Sequence, residues 1–328
     1  MCATGSEIIF RLPEIKFAQW SRVDYARSVP CIIRQPENKF SSCFRLPECL
    51  QSPFHYPNSR NQIAMTPILA FDIETIPDAA AIRVLNQLPD SLTDAEVVEF
   101  GQQQRRAKTG NDFMPHHLQR VVAISCCLRW GDKIHIGTLC KPDSSEADII
   151  SEFFKLIDKR TPQLVSWNGS GFDLPVLHYR ALVHGVQAAR YWDMGDGDFA
   201  DSKDFKWNNY ISRYHNRHCD LMDLLALYGG RANAPLDELS KICGFPGKLG
   251  MDGSQVWQAY QDGKIDEIRD YCETDVANTY LMFQRFRLMN GALTRPEYEL
   301  EIEKLREYLY EIAEEKPHWE EFLEAWNV

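Results

Sequence analysis

The chain has 328 residues, 44% hydrophobic and 25% charged, with a formal net charge of −11. That size and composition belong to an ordinary soluble globular protein with one large domain, or one domain plus an appendage. The acidic balance excludes a protein that coats nucleic acid by bulk positive charge, but not an enzyme that grips a few phosphates locally and holds metal with its acids.

Residues 1–64 stand apart. They are slightly basic and rich in scattered Pro, Arg, Ser and Cys, with no sustained period of 2 or 3.6. They are expected to be a poorly ordered N-terminal extension, with Met65 an alternative start, so that the functional unit runs over 65–290. No apolar run reaches the length of a membrane span, and the N-terminus lacks the apolar core of a signal peptide. The expected location is cytoplasmic, with no membrane partner. The ten cysteines contain no C-x-x-C pair, which predicts reduced, mostly buried thiols.

A short apolar run, Ile68 to Phe71, leads into Asp72-Ile73-Glu74 and is closed by Pro77. It reads as a buried strand. Residues two apart on a strand share a face, so Asp72 and Glu74 project side by side. Two such carboxylates repel unless a cation sits between them, and the fitting cation is hard and oxygen-loving, Mg²⁺ or Mn²⁺. The competing reading is a strand end whose acids are solvated or cap a turn. Helices are predicted over 78–88 and 93–108, the second opened by a capping box from Thr93 to Glu96. A hairpin over 119–130 and 133–140 turns at Gly131-Asp132, a helix follows to 159, and 163–167 is another buried strand.

That strand runs into Asn168-Gly169-Ser170-Gly171-Phe172-Asp173, where two glycines permit close backbone approach beside an acid. Asp173 is a candidate metal ligand, a helix N-cap, or both. Helices are then predicted over 174–184, 221–228, 236–243, 254–262 and 265–289, with a charged helical appendage over 291–328. Strands first, then strands alternating with helices, predict an α/β domain with a mixed sheet. Within the helix over 265–289, Tyr271 and Asp275 lie four apart on one face; the alternative is an ordinary polar face.

Together D-x-E, N-x-x-x-F-D and Y-x-x-x-D occur in the order that resembles the DEDD superfamily of 3′–5′ exonucleases, in the branch with tyrosine in its third motif (DEDDy). The surrounding text (FDIETIPD, SWNGSGFDLPVLHYRA, GFPGKLGMDGSQVW, YCETDVANTY) is similar to bacterial stand-alone exonucleases related to the exonuclease domain of family-B DNA polymerases. The resemblance covers about residues 65–289, extends more loosely over the C-terminal tail, and does not reach residues 1–64. It implies a ribonuclease-H-like fold and two-metal hydrolysis at the 3′ end of single-stranded nucleic acid. Asp72, Glu74 and Asp275 would hold the ion that binds the attacking water, Asp72 would bridge to a second ion, and Asp173 would hold that second ion. Tyr271, with an ordinary pKa near ~10, is a poor base and better suited to orient the water.

For substrate binding, Lys206, Trp207 and Arg213 belong to a stretch mixing cations with aromatic rings, suited to single strands, or else to a structural hairpin with solvated charges. Lys248 is a candidate phosphate contact outside any P-loop pattern, and Asn168 and Phe172 lie beside the acids. Single-stranded DNA is the first substrate candidate. RNA 3′-end trimming and a non-catalytic nucleic-acid-binding accessory module are the alternatives, and replication or repair proteins are partner candidates.

Overall fold

The computed structural model describes residues 66–326; the expectation for residues 1–64 lies outside the described residues. Strand β1 (Ile68–Pro77) is followed by helices α1 (Ala79–Asn86) and α2 (Asp94–Thr109), then the hairpin β2 (Gln119–Trp130) and β3 (Lys133–Thr138). Helix α3 (Glu146–Arg160), β4 (Gln163–Ser166), α4 (Asp173–His184) and α5 (Ser202–Phe205) precede β5 (His218–Asp220). The remainder is helical: α6 (Leu221–Leu225), α7 (Leu236–Ile242), α8 (Val256–Gln261), α9 (Ile265–Met289), α10 (Arg295–Ala313) and α11 (His318–Glu324).

The strands form one sheet in the order β3-β2-β1-β4-β5. The pairs β1–β2 and β2–β3 are antiparallel, while β1–β4 and β4–β5 are parallel. This mixed sheet with flanking helices is the α/β, ribonuclease-H-like arrangement that the sequence predicts. The capping box of α2 forms as expected, Thr93 Oγ1 accepting from the Glu96 amide while the Glu96 carboxylate accepts from the Thr93 amide at 2.7 Å.

The parity of β1 divides the core. Leu69, Phe71 and Ile73 face the cluster built with α3 and α4. Ile68 and Ala70 face the opposite cluster, built with α9, α10 and α11. Continuing the even positions brings Asp72 and Glu74 to the α9 side. The parallel partner β4 pairs only with Ile68 to Ala70, so both acids lie beyond its end. Carboxyl ends of parallel strands are where open α/β sheets leave room for ligands.

Helix α9 is buried on every side from Tyr271 to Gln284, with the sheet against one face and the C-terminal helices against the other. The segment over 291–326 therefore shares a core with the sheet. It is pinned by a buried bidentate pair, Arg129 Nε and a terminal guanidinium nitrogen donating to Glu301 at 2.7 and 2.6 Å. Among the described residues all six cysteines are unpaired, and no helix is long and apolar enough to cross a membrane.

Candidate active site

Four carboxylates from three elements converge at the middle of β1, just beyond the end of its partner β4. Asp72 and Glu74 come from the strand, Asp173 from the first turn of α4, and Asp275 from the middle of α9. Glu74, Asp173 and Asp275 are buried, and Asp72 is partly exposed.

Asp173 is delivered by a backbone device. Asn168 adopts a left-handed φ of 70°. The Asn168 and Ser170 amides both donate to the Asp220 carboxylate, at 2.9 and 2.8 Å, which ties the turn to the end of β5. A Cβ on Gly169 would strike Ser166 Oγ and Cβ, so the turn leaves no room for a side chain there, whereas one on Gly171 would displace the Asn168 side chain. Asp173 is the first helical residue and Phe172 holds the cap position, so Asp173 is not the N-cap. Backbone amides, its own and that of Ile73 on β1, instead act on its carboxylate electrostatically and favour its charged form. Two turns further along α4, Arg180 binds Glu146 through Nε at 2.7 Å and also reaches Asp78, joining α4 to α3 and to the end of β1.

The electrostatics follow from this crowding. Burial, then the charges of Asp173, Glu74 and Asp275, pushes the Asp72 carboxyl well above its ordinary range, with Lys248 opposing. Glu74 is raised in the same way by burial and Asp275, again against Lys248. Burial lifts Asp173 to about 7, against the pull of backbone amides. Asp275 is raised by burial despite its contacts with Lys248 and Tyr271.

Lys248 sits where the charge demands. Its ammonium lies 3.3 Å from Asp275 Oδ2 and donates to the Tyr271 hydroxyl. Burial pulls its pKa down, but Asp275, Asp72 and Glu74 outweigh that and raise it. The Tyr271 phenol is pushed far above its usual value, first by burial and then by Asp275, Glu74 and Asp72. It stays protonated and serves as a hydrogen-bonding group.

One lysine does not satisfy four acids. Asp275 Oδ1 is buried without a hydrogen-bond partner. Ligand atoms of Asp72, Glu74 and Cys272 lie within 4.8 Å of one another. Hard carboxylate oxygens, mutually repelling and partly unpartnered, are a donor set that fits Mg²⁺ or Mn²⁺. The Cys272 thiol, 3.5 Å from the Asp72 carbonyl, is pushed well up by burial and the adjacent acids and remains a neutral donor.

Residues 111–326 match the model of a family described as a predicted 3′–5′ exonuclease related to the exonuclease domain of PolB. The chain belongs to this family. No curated protein matches it. The match contains Asp173, Tyr271 and Asp275, whereas Asp72 and Glu74 lie ahead of it and join them through β1.

Around this exonuclease-family site the other candidates fall unevenly. Asn168 and Phe172 adjoin Asp173, and Phe172 packs against Phe113 and His116 at ring distances of 5.7 and 5.6 Å. Lys206 and Trp207 form a cation–π pair at 5.4 Å, with the indole widely exposed. Arg213 is paired with Asp223 and stacked over Tyr228. Sequence reasoning did not single out Asp220, Phe113 or His116. Asp220 is hidden in the run CDLMDLL, and the contacts of all three are made across more than fifty residues or through backbone atoms.

Proposed function

We propose that the chain is a metal-dependent 3′–5′ exonuclease that hydrolyses single-stranded DNA from its 3′ end, acting in the cytoplasm, with its catalytic residues in 65–290 and the helices over 291–326 packed on the same core. The observation that carries this reading is the convergence of Asp72, Glu74, Asp173 and Asp275 with one buried oxygen, Asp275 Oδ1, left unpartnered. The family's relation to PolB supports DNA as the substrate.

Asp72, Glu74 and Asp275 would hold one Mg²⁺ or Mn²⁺, and Asp72 and Asp173 a second. When bound, such ions acidify a water and offset charge on the phosphate oxygens. The chain's own residues orient the reactants. Tyr271, protonated and hydrogen-bonded by Lys248, presents a phenol oxygen to a water. Lys248 holds Asp275 Oδ2 in place and supplies a positive charge beside the acids that a phosphate oxygen could meet. Phe172, which precedes Asp173, and Asn168, in the turn that carries it, are the nearest candidates to contact a 3′-terminal nucleotide.

The test is a gel time course on 5′-labelled single-stranded DNA and matched RNA with Mg²⁺, Mn²⁺ or EDTA. A metal-dependent ladder shortening from the 3′ end of DNA, and absent in Asp72→Ala, is expected. Faster loss of RNA would reassign the sugar, and cleavage by Asp72→Ala at the wild-type rate would remove the mechanism.

A further inference from the structure

We propose that Phe113 is a stacking platform for an unpaired base at the 3′ end of the substrate, a role that rests on the exonuclease reading. A single exposed aromatic ring is common and needs no explanation. This one differs in how it is held. The Phe113 amide donates to Asn111 Oδ1 at 2.8 Å, and its carbonyl accepts from Arg105 Nε at 2.9 Å. The next carbonyl, of buried Met114, accepts from Gln119 Nε2 at 2.9 Å. Three of the four backbone polar groups of Phe113 and Met114 are thus fixed, yet Phe113 remains 55% exposed.

The direction in which the ring is held is equally specific. It leans on Phe172 at 5.7 Å and 48°, and Phe172 immediately precedes Asp173. His116 packs on Phe172 at 5.6 Å and shares a 2.9 Å hydrogen bond with the Gly171 carbonyl. The loop after α2 is thereby tied to the turn that carries the fourth acid. The result is an aromatic step against the turn that carries Asp173, more than half open to solvent, with its backbone held in place.

Every base has a π face, so stacking of this kind grips a strand without reading its sequence. A ring already ordered loses little entropy on contact. A paired base is already stacked in its duplex, so the same step favours a single-stranded or frayed 3′ end.

The test is a cycle between protein and substrate. Initial rates of the full chain and of Phe113→Ala are measured on a single-stranded oligonucleotide and on one whose last two nucleotides are abasic. Phe113→Ala is expected to lower kcat/KM about tenfold on the normal strand, mainly through KM. It should change little on the abasic-ended strand, and Phe113→Tyr should restore the normal-strand rate. Equal losses on both strands, or none on either, would overturn the platform. If the wild type cleaves neither strand with Mg²⁺ or Mn²⁺, the exonuclease reading fails separately. The same four combinations read by fluorescence anisotropy binding then decide the platform by the same criterion.

Discussion

Glu273 and Asp275 are two residues apart on α9, and both are buried. At roughly 100° per residue they point to nearly opposite sides of the helix. Glu273 faces β3 and the C-terminal segment. It accepts from the Thr138 amide at 2.9 Å and from Lys316 Nζ at 2.7 Å on both oxygens, with His318 Nε2 3.2 Å away. Burial alone would raise its pKa, but His318 and Lys316 outweigh that and bring it to about 2. Asp275 faces three other acids, has one lysine for company, and is raised. Burial is common to both, so partners decide the sign. One side of the helix is a finished ionic contact, and the other has more negative charge than its own cation offsets.

The largest expected contrast comes from neutralising each acid in turn. Asp275→Asn should remove nearly all cleavage and leave the melting temperature unchanged or higher, because it relieves repulsion among buried carboxylates. Glu273→Gln should leave kcat within a few-fold but cost about 2–3 kcal/mol, less than for a fully buried pair because Lys316 is partly solvated. That corresponds to a drop of roughly 5–10 °C. Melting curves and initial rates of both variants check this. A lower melting temperature for Asp275→Asn together with lost activity for Glu273→Gln would invert the assignment of the two faces.

The same two acids mark what the sequence makes legible. The D-x-E pair is visible because strand parity is local, and Y-x-x-x-D because helical spacing is local. The limits of α9 and the capping box at Thr93 are local in the same sense. What escapes is set by distance along the chain. The partners of Glu273 lie at Thr138, Lys316 and His318, brought together only when α11 folds back over α9. Asp220 reaches the Asn168 turn through backbone amides, which leave no mark in side-chain patterning. Arg213 reads as a free cation among aromatic residues, whereas its charge is taken by Asp223, ten residues on. The step between Asp173 as cap and Asp173 as first helical residue is one position, finer than side-chain patterning resolves.

The contrast also predicts opposite slopes with pH. Asp173 titrates near 7 in the folded chain and near 3.8 in the ordinary case. The folded state therefore holds the extra proton between those values, and this contribution to stability falls as pH rises through them. Glu273 runs the other way: its contribution is full above about 4.5 and is lost as pH falls towards 2. In EDTA the melting temperature should rise as pH is lowered from about 8 to 5.5 and fall again below about 4. The first slope should flatten in Asp173→Asn and on adding Mn²⁺, and the second in Glu273→Gln. A first slope unchanged in both would sink the account of the crowded acids.

The smallest effect sharpens the finished side of the helix. Lys316 carries 37% of its side chain exposed, and Glu273 keeps the Thr138 amide without it. Lys316→Met should therefore cost only about 1 kcal/mol, or some 2–4 °C. Its whole effect should pass through Glu273, so the double variant Glu273→Gln/Lys316→Met should melt no lower than Glu273→Gln alone. Additive losses would mean that Lys316 stabilises the C-terminal segment through some other group. Non-additive losses would show that the clamp on α9 is a single ionic contact, with Glu273 at its centre and the opposite face left free to work.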